Sequence, residues 1–116
     1  MKEKISFSEF LEIEKKLEIK MGKIVHVEAV PKSDKLIKLE VDFGEESIRN
    51  VVTNIKQYIG DEVECKNVLT DLCFPFITNL EPAKMMGIVS EAMIMPGEIE
   101  RGLNMTVNAK PGIKLL

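Results

Sequence analysis

The chain has 116 residues, 45% of them apolar and 30% charged, which is one globular domain with no room for a second core. Sixteen basic against nineteen acidic residues leave a formal charge of −3, so composition supplies no bulk attraction to nucleic acid or to an anionic membrane. No apolar run approaches the roughly 20 residues that cross a bilayer and no signal-peptide order opens the chain, so a cytoplasmic protein without a membrane partner is expected.

Ser6 followed by Glu9 forms a capping box, and the spacing of Phe7, Phe10, Leu11 and Ile13 predicts a short amphipathic helix from about Phe7 to Lys16. From Leu17 the period changes to two and predicts a strand through Val27, with Gly22 expected at a bulge or sharp bend. Pro31 to Asp34 reads as a turn. Ile37, Leu39, Val41 and Phe43 then alternate with Lys38, Glu40 and Asp42, the clearest strand in the chain. Gly44 to Ser47 is expected to be a hairpin loop, with Ile48 to Thr53 returning as a third strand. Between Asn54 and Lys66 the pattern fails, and a helical turn followed by a loop is expected. Val68 to Asn79 predicts a strand in which Pro75 occupies an edge or bulge, because proline cannot donate to a ladder. Asn79 to Gly87 reads as a polar connection and Ala92 to Met95 as a last short strand. Five short strands with one helical interruption predict an all-β fold, a small closed barrel of OB type.

The residues offer little for catalysis. His26 is the only histidine and is expected at a surface or barrel-face position of a strand. Cys65 and Cys73 fit neither a disulfide framework nor a zinc signature and are expected as reduced core residues. The seven glycines are scattered, so no phosphate-cradling loop forms, and no cofactor or metal is expected.

Binding has two candidate segments. Residues 19–40 carry five lysines against three acids: Lys20, Lys23, Lys32, Lys35 and Lys38 form a local basic stretch in an acidic chain. Asn79 to Met93 brings Lys84, the methionine pair Met85 and Met86, and Ser90 together just before the last strand. Methionine adapts to irregular apolar faces, including nucleobases, and serine can bond a phosphate or base edge.

Several short motifs occur in one order: Lys23-Ile24-Val25-x-Val27-Glu28, Pro31-x-x-Asp34-Lys35-Leu36, Leu39-x-Val41-Asp42-x-Gly44, Arg49-x-Val51-Val52, and Asn79-Leu80-x-Pro82-x-Lys84-x-x-Gly87-x-x-Ser90-Glu91-x-Met93. Together, from about Leu17 to Met95, they resemble the structure-specific tRNA-binding domain. That family includes the free bacterial tRNA-binding protein and the C-terminal domain or detached beta subunit of methionyl-tRNA synthetases. The resemblance implies a five-stranded OB-fold Greek-key barrel, a homodimer, and binding of tRNA by shape, without catalysis and with a methionyl-tRNA synthetase as a further partner. It assigns tRNA contacts to Lys32 or Lys35, to Lys84, to Ser90 as a hydrogen-bonding group and to Met93 as an apolar one.

Three features depart from the family. Lys20-Met21-Gly22 stands where Arg-Val-Gly is usual. Ala92 replaces the glycine of Ser-x-Gly-Met, where a methyl group opposes close backbone approach or a positive φ. Asp61, Glu62 and Glu64 add an acidic loop. The CsaA export chaperones share the implied barrel and dimer, so binding of unfolded polypeptides is the alternative function. One domain is expected over 1–116, with a barrel core at about 17–95 and a dimerisation extension at 96–116. Leu103, Met105, Val107, Ile113 and Leu115 are more apolar than a solvated tail requires and are expected at the dimer interface.

Overall fold

The computed structural model describes residues 1–95 and 110–115. Helix α1 spans Phe7–Lys16, and both halves of the capping box form: the Glu9 backbone N–H donates to Ser6 Oγ at 3.1 Å while the Glu9 carboxylate reaches back to Ser6. None of its residues is buried, so Phe7, Phe10 and Ile13 stay exposed. Asn79 ties the end of α1 to the barrel, accepting from Glu18 N–H at 2.8 Å and donating to the Lys16 carbonyl at 2.6 Å.

Strands β1 (Ile19–Ala29), β2 (Ile37–Asp42) and β3 (Arg49–Thr53) form an antiparallel meander. Helices α2 (Lys56–Ile59) and α3 (Glu62–Leu69) follow, then β4 (Cys73–Ile77), β5 (Ala83–Met85), β6 (Ile88–Ser90) and β7 (Met93–Ile94). The main sheet has the order β3-β2-β1-β4-β7, so β4 returns to lie beside β1, the Greek-key arrangement. β5 and β6 form a separate hairpin. The sheet curls into a nearly closed OB-like barrel. Its seam lies between β3 and the segment entering β7, where Glu91 N–H donates to the Asn50 carbonyl at 2.8 Å and Val52 N–H to Ser90 Oγ at 2.9 Å. Arg49 Nη1 spans the same seam, donating to the Thr78 carbonyl at 2.7 Å and the Glu91 carbonyl at 3.3 Å.

The core is the inward row of each strand: Ile24 and Val27 from β1, Ile37, Leu39 and Val41 from β2, Val51 from β3, and Phe74 and Phe76 from β4. Phe43 meets Phe76 edge to face with ring centroids 5.1 Å apart. Burying each such side chain contributes about 1.5–3 kcal/mol.

The structure corrects the expected elements at several points. The register shift in β1 falls between Ile24 and His26, at Val25, and not at Gly22. Gly22 answers a packing need instead: a Cβ there would stand 2.5 Å from Phe43 Cε1 and 2.6 Å from Val41 Cγ1. The loop expected before Lys66 is α3, capped by Asp61 accepting from Glu64 N–H at 2.9 Å. Only Cys65 and Leu69, one helical turn apart, face the core, a stripe too narrow to announce the helix. Val68 accordingly belongs to the last turn of α3, and β4 begins at Cys73. Pro75 lies in an internal strand, opposite Met21, whose N–H and carbonyl both bond outward to residues 112 and 113. The Pro75–Met21 pair thus needs no donor from proline. Cys65 is buried and Cys73 half-buried, both free.

The C-terminal residues 110–115 lie along the outer edge of β1. Gly112 N–H donates to the Met21 carbonyl, Met21 N–H to the Ile113 carbonyl and Leu115 N–H to the Ile19 carbonyl, all within 2.7–2.8 Å. Ile113 and Leu115 keep exposed side chains there. Leu103, Met105 and Val107 lie outside the described residues.

Candidate nucleic-acid interface

The turn between β1 and β2 puts Pro31 at its first central position and Lys32 at its second with φ +64°, closed by Ser33 N–H donating to the Val30 carbonyl at 3.2 Å. This is a type II pattern, whose second central position normally takes glycine. Ser33 Oγ then accepts from Leu36 N–H at 3.1 Å and fixes the approach to β2. Lys32 and Lys35 are exposed and carry no ion pair among the described residues.

The rest of the basic stretch is partly engaged. Lys38 Nζ lies 3.0 Å from Glu28, and Lys20 Nζ lies 3.7 Å from Glu18 and 4.0 Å from Glu45. The Lys38 hydrogen bond holds the Glu28 carboxyl below the ordinary glutamate range. These two lysines are less available to a polyanion than Lys32 and Lys35. His26 is surface-exposed, 3.4 Å from Glu28.

The segment read as a polar connection is a hairpin. Met86 (φ +51°) and Gly87 (φ +82°) make a two-residue turn of type I′ pattern between β5 and β6. Side chains alternate across it: Ala83, Met85 and Ser90 face a cleft of about 460 Å³, while Lys84 and its cross-strand partner Val89 face away into solvent. Leu36, Val52, Ile55, Leu80 and Met93 supply the other apolar walls. The rim carries Asn54 and Glu81, both exposed.

The expected contacts therefore separate. Ser90 and Met93 line one cleft, and Met93 is 55% exposed within it. Lys35 precedes the lining residue Leu36, and Lys84 sits between the lining residues Ala83 and Met85. Lys32 stands at the tip of its turn and does not line the cleft. Ser90 is buried, and its hydroxyl is already engaged, accepting from Val52 N–H and donating to the Ala92 carbonyl at 3.3 Å. Ala92 joins the core and is absent from the positive-φ positions, so glycine is not required there. Of the three acids expected as a loop, Asp61 caps α3 and Glu62 accepts from Ala29 N–H at 2.5 Å. Met85, of the methionine pair singled out in the sequence, also lines the cleft, while Leu36, Asn54 and Glu81 join it without having been named as contacts, since their approach depends on the hairpin fold and the barrel seam.

A family described as "Putative tRNA binding domain" matches residues 19–113. The chain belongs to this family. Methionine–tRNA ligases of Methanococcoides burtonii and Archaeoglobus fulgidus are 40% and 41% identical to it over 102 and 98 residues, covering 83% and 84% of the chain. The chain spans only 13% of the length of either ligase. Among solved structures, a MetRS related protein from Pyrococcus horikoshii superposes with a TM-score of 0.75 at 32% identity, covering 99% of this chain and all of the other. The chaperone CsaA of Bacillus anthracis superposes with a TM-score of 0.71 at 23% identity over 98% of this chain, a likeness of fold. This tRNA-binding domain is thus homologous to a segment of methionyl-tRNA synthetases.

Proposed function

We propose that the protein binds tRNA without catalysing a reaction, acting in the cytosol beside a methionyl-tRNA synthetase. The observation that carries this reading is the family match over residues 19–113, combined with exposed lysines that have no ion pair among the described residues and with a methionine-lined cleft. Lys32, Lys35 and Lys84 attract phosphates, Met93 gives an apolar contact, and Ser90 holds the strand that presents Met93. The working unit is a homodimer, a reading supported by the uncovered apolar face of α1 and by the exposed Ile113 and Leu115. A dimer mass in sedimentation equilibrium is its expected result, and a monomer mass overturns it.

The test is binding of purified protein to bulk tRNA, to duplex RNA and to an unfolded polypeptide, each across a salt series. Three phosphate contacts predict a log–log salt slope of about −2 to −3 for tRNA. Replacing Lys32, Lys35 and Lys84 together by alanine is expected to flatten that slope while the melting temperature holds. Salt-insensitive capture of the unfolded polypeptide with no tRNA binding overturns the reading and gives the chaperone function the lead.

A further inference from the structure

The cleft beside β6 is more specific than a positively charged barrel requires. Its lining is mostly apolar, with the buried hydroxyls of Thr53 and Ser90 in it, its volume of about 460 Å³ lies within the range of small-ligand sites, and its rim carries two exposed polar side chains of different chemistry. Neither Asn54 nor Glu81 has a side-chain hydrogen bond or ion pair to another described residue. A methionine pair, Met85 and Met93, lines the walls.

Phosphate does not fit this site, because Glu81 stands at its mouth and no lysine or arginine is among its described lining residues. A flat apolar ring with hydrogen-bonding groups on its edge does fit. The carboxylate is an acceptor-only group and selects an edge that donates, whereas the Asn54 amide both donates and accepts. Single-stranded bases that leave the stack are bound in this way, by apolar or aromatic contact on the face and polar contact on the edge. Lys35 adjoins the lining residue Leu36 in the chain, where the backbone of such a nucleotide would run, whereas Lys84 faces off the other side of the hairpin.

We infer that this cleft holds one unstacked, amino-bearing nucleobase of the bound RNA, with methionine contact on its face and Glu81 and Asn54 on its edge. Guanine suits it best, since an N–H and an adjacent amino group face the two carboxylate oxygens together. Uracil suits it least, since its single donor is flanked by carbonyl oxygens. The inference rests on the tRNA-binding reading and adds a base contact to it.

The experiment has two arms on the full chain. In the first, tRNA affinity and salt slope are measured for wild type, Met93→Ala, Asn54→Ala and Glu81→Gln. Loss of a base contact is expected to weaken binding roughly 5- to 50-fold and leave the salt slope unchanged, because no phosphate contact is lost. Met93, Asn54 and Glu81 are exposed, so folding is expected to survive, and thermal melting checks it. In the second arm, methionine-methyl NMR follows titration with guanosine, cytidine and uridine 5′-monophosphates. Met85 and Met93 are expected to shift most with guanosine monophosphate and least with uridine monophosphate.

Wild-type protein that binds tRNA, variants that match it in affinity, and methyl resonances that ignore all three nucleotides would together sink the base site and leave the function standing. Wild type that fails to bind tRNA removes the function itself. Methyl shifts produced by an unfolded polypeptide and by no nucleotide assign the cleft to a protein ligand and overturn the inference.

Discussion

Ser90 Oγ accepts from Val52 N–H and donates to the Ala92 carbonyl, so this side chain replaces one backbone rung where β3 and the entry to β7 have no regular ladder. Ser90→Ala leaves a buried backbone N–H without a partner, which costs about 1–3 kcal/mol. The expected result is a lower urea midpoint at pH 7 with tRNA affinity of the folded protein unchanged. An unchanged midpoint with lost tRNA binding would return Ser90 to the interface itself. Sequence reasoning picked out this residue and the segment around it, but assigned its hydroxyl outward. The sequence carries no sign that a strand edge arrives within 2.9 Å of it, because that edge comes from residues 38 positions away. Gly22 illustrates the same limit. The sequence reads it as a bulge or bend, and its packing role is not legible there, since Phe43 reaches it only through the β1–β2 pairing.

At the scale of elements, the long alternating strands were readable, as was the short β7 within the expected Ala92 to Met95, whereas α3 and the β5–β6 hairpin were not. β2 buries every second residue, so its period of two survives in the sequence, and the capping box marks α1. α3 contributes two core residues among eight, and β5 and β6 have three residues each, too few to establish a period. The hairpin was further hidden by its turn, where Met86 occupies a left-handed position that commonly takes asparagine or glycine. The β1–β2 turn repeats this departure with Lys32 at φ +64°. A left-handed β-carbon is unfavourable by roughly 1–2 kcal/mol, part of which glycine's extra chain entropy offsets. Lys32→Gly is therefore expected to raise stability by a few tenths to 1 kcal/mol in urea unfolding. The same variant is expected to weaken tRNA binding and reduce the salt slope by about 0.7–0.9. If the variant gains stability at no loss of affinity, Lys32 lies outside the interface, and a loss of stability would place the reason for lysine in the fold.

Across the whole molecule, the acidic excess is arranged so that several carboxylates support the barrel. Glu45 receives Arg49 through two bonds of 2.7 and 2.8 Å, while the same guanidinium spans the seam to Thr78 and lies 5.3 Å above the Phe43 ring. The Arg49 hydrogen bond holds the Glu45 carboxyl below the ordinary range. Glu18 is lowered chiefly by the Thr78 hydroxyl at 2.7 Å, and Glu28 chiefly by Lys38. In each case the folded protein binds its proton less readily than the unfolded chain. Stability from these groups is thus fully present above the ordinary glutamate pKa of about 4.3 and is lost as pH falls through the lower folded values. The urea midpoint is expected to be flat from pH 7 to 5 as far as these three groups act, and to fall below about 4.3. Glu45→Gln is expected to lower the midpoint at pH 7 and to shrink the acid-induced drop, because one of the three titrations has been removed while the weakened anchor of Arg49 is already part of the variant. Added salt should reduce the wild-type drop as well, since these pairs are partly exposed and screened. A wild-type midpoint that stays constant to pH 3 would mean that the seam closes without its carboxylate anchor, leaving the Arg49 bonds to the Thr78 and Glu91 carbonyls to hold it.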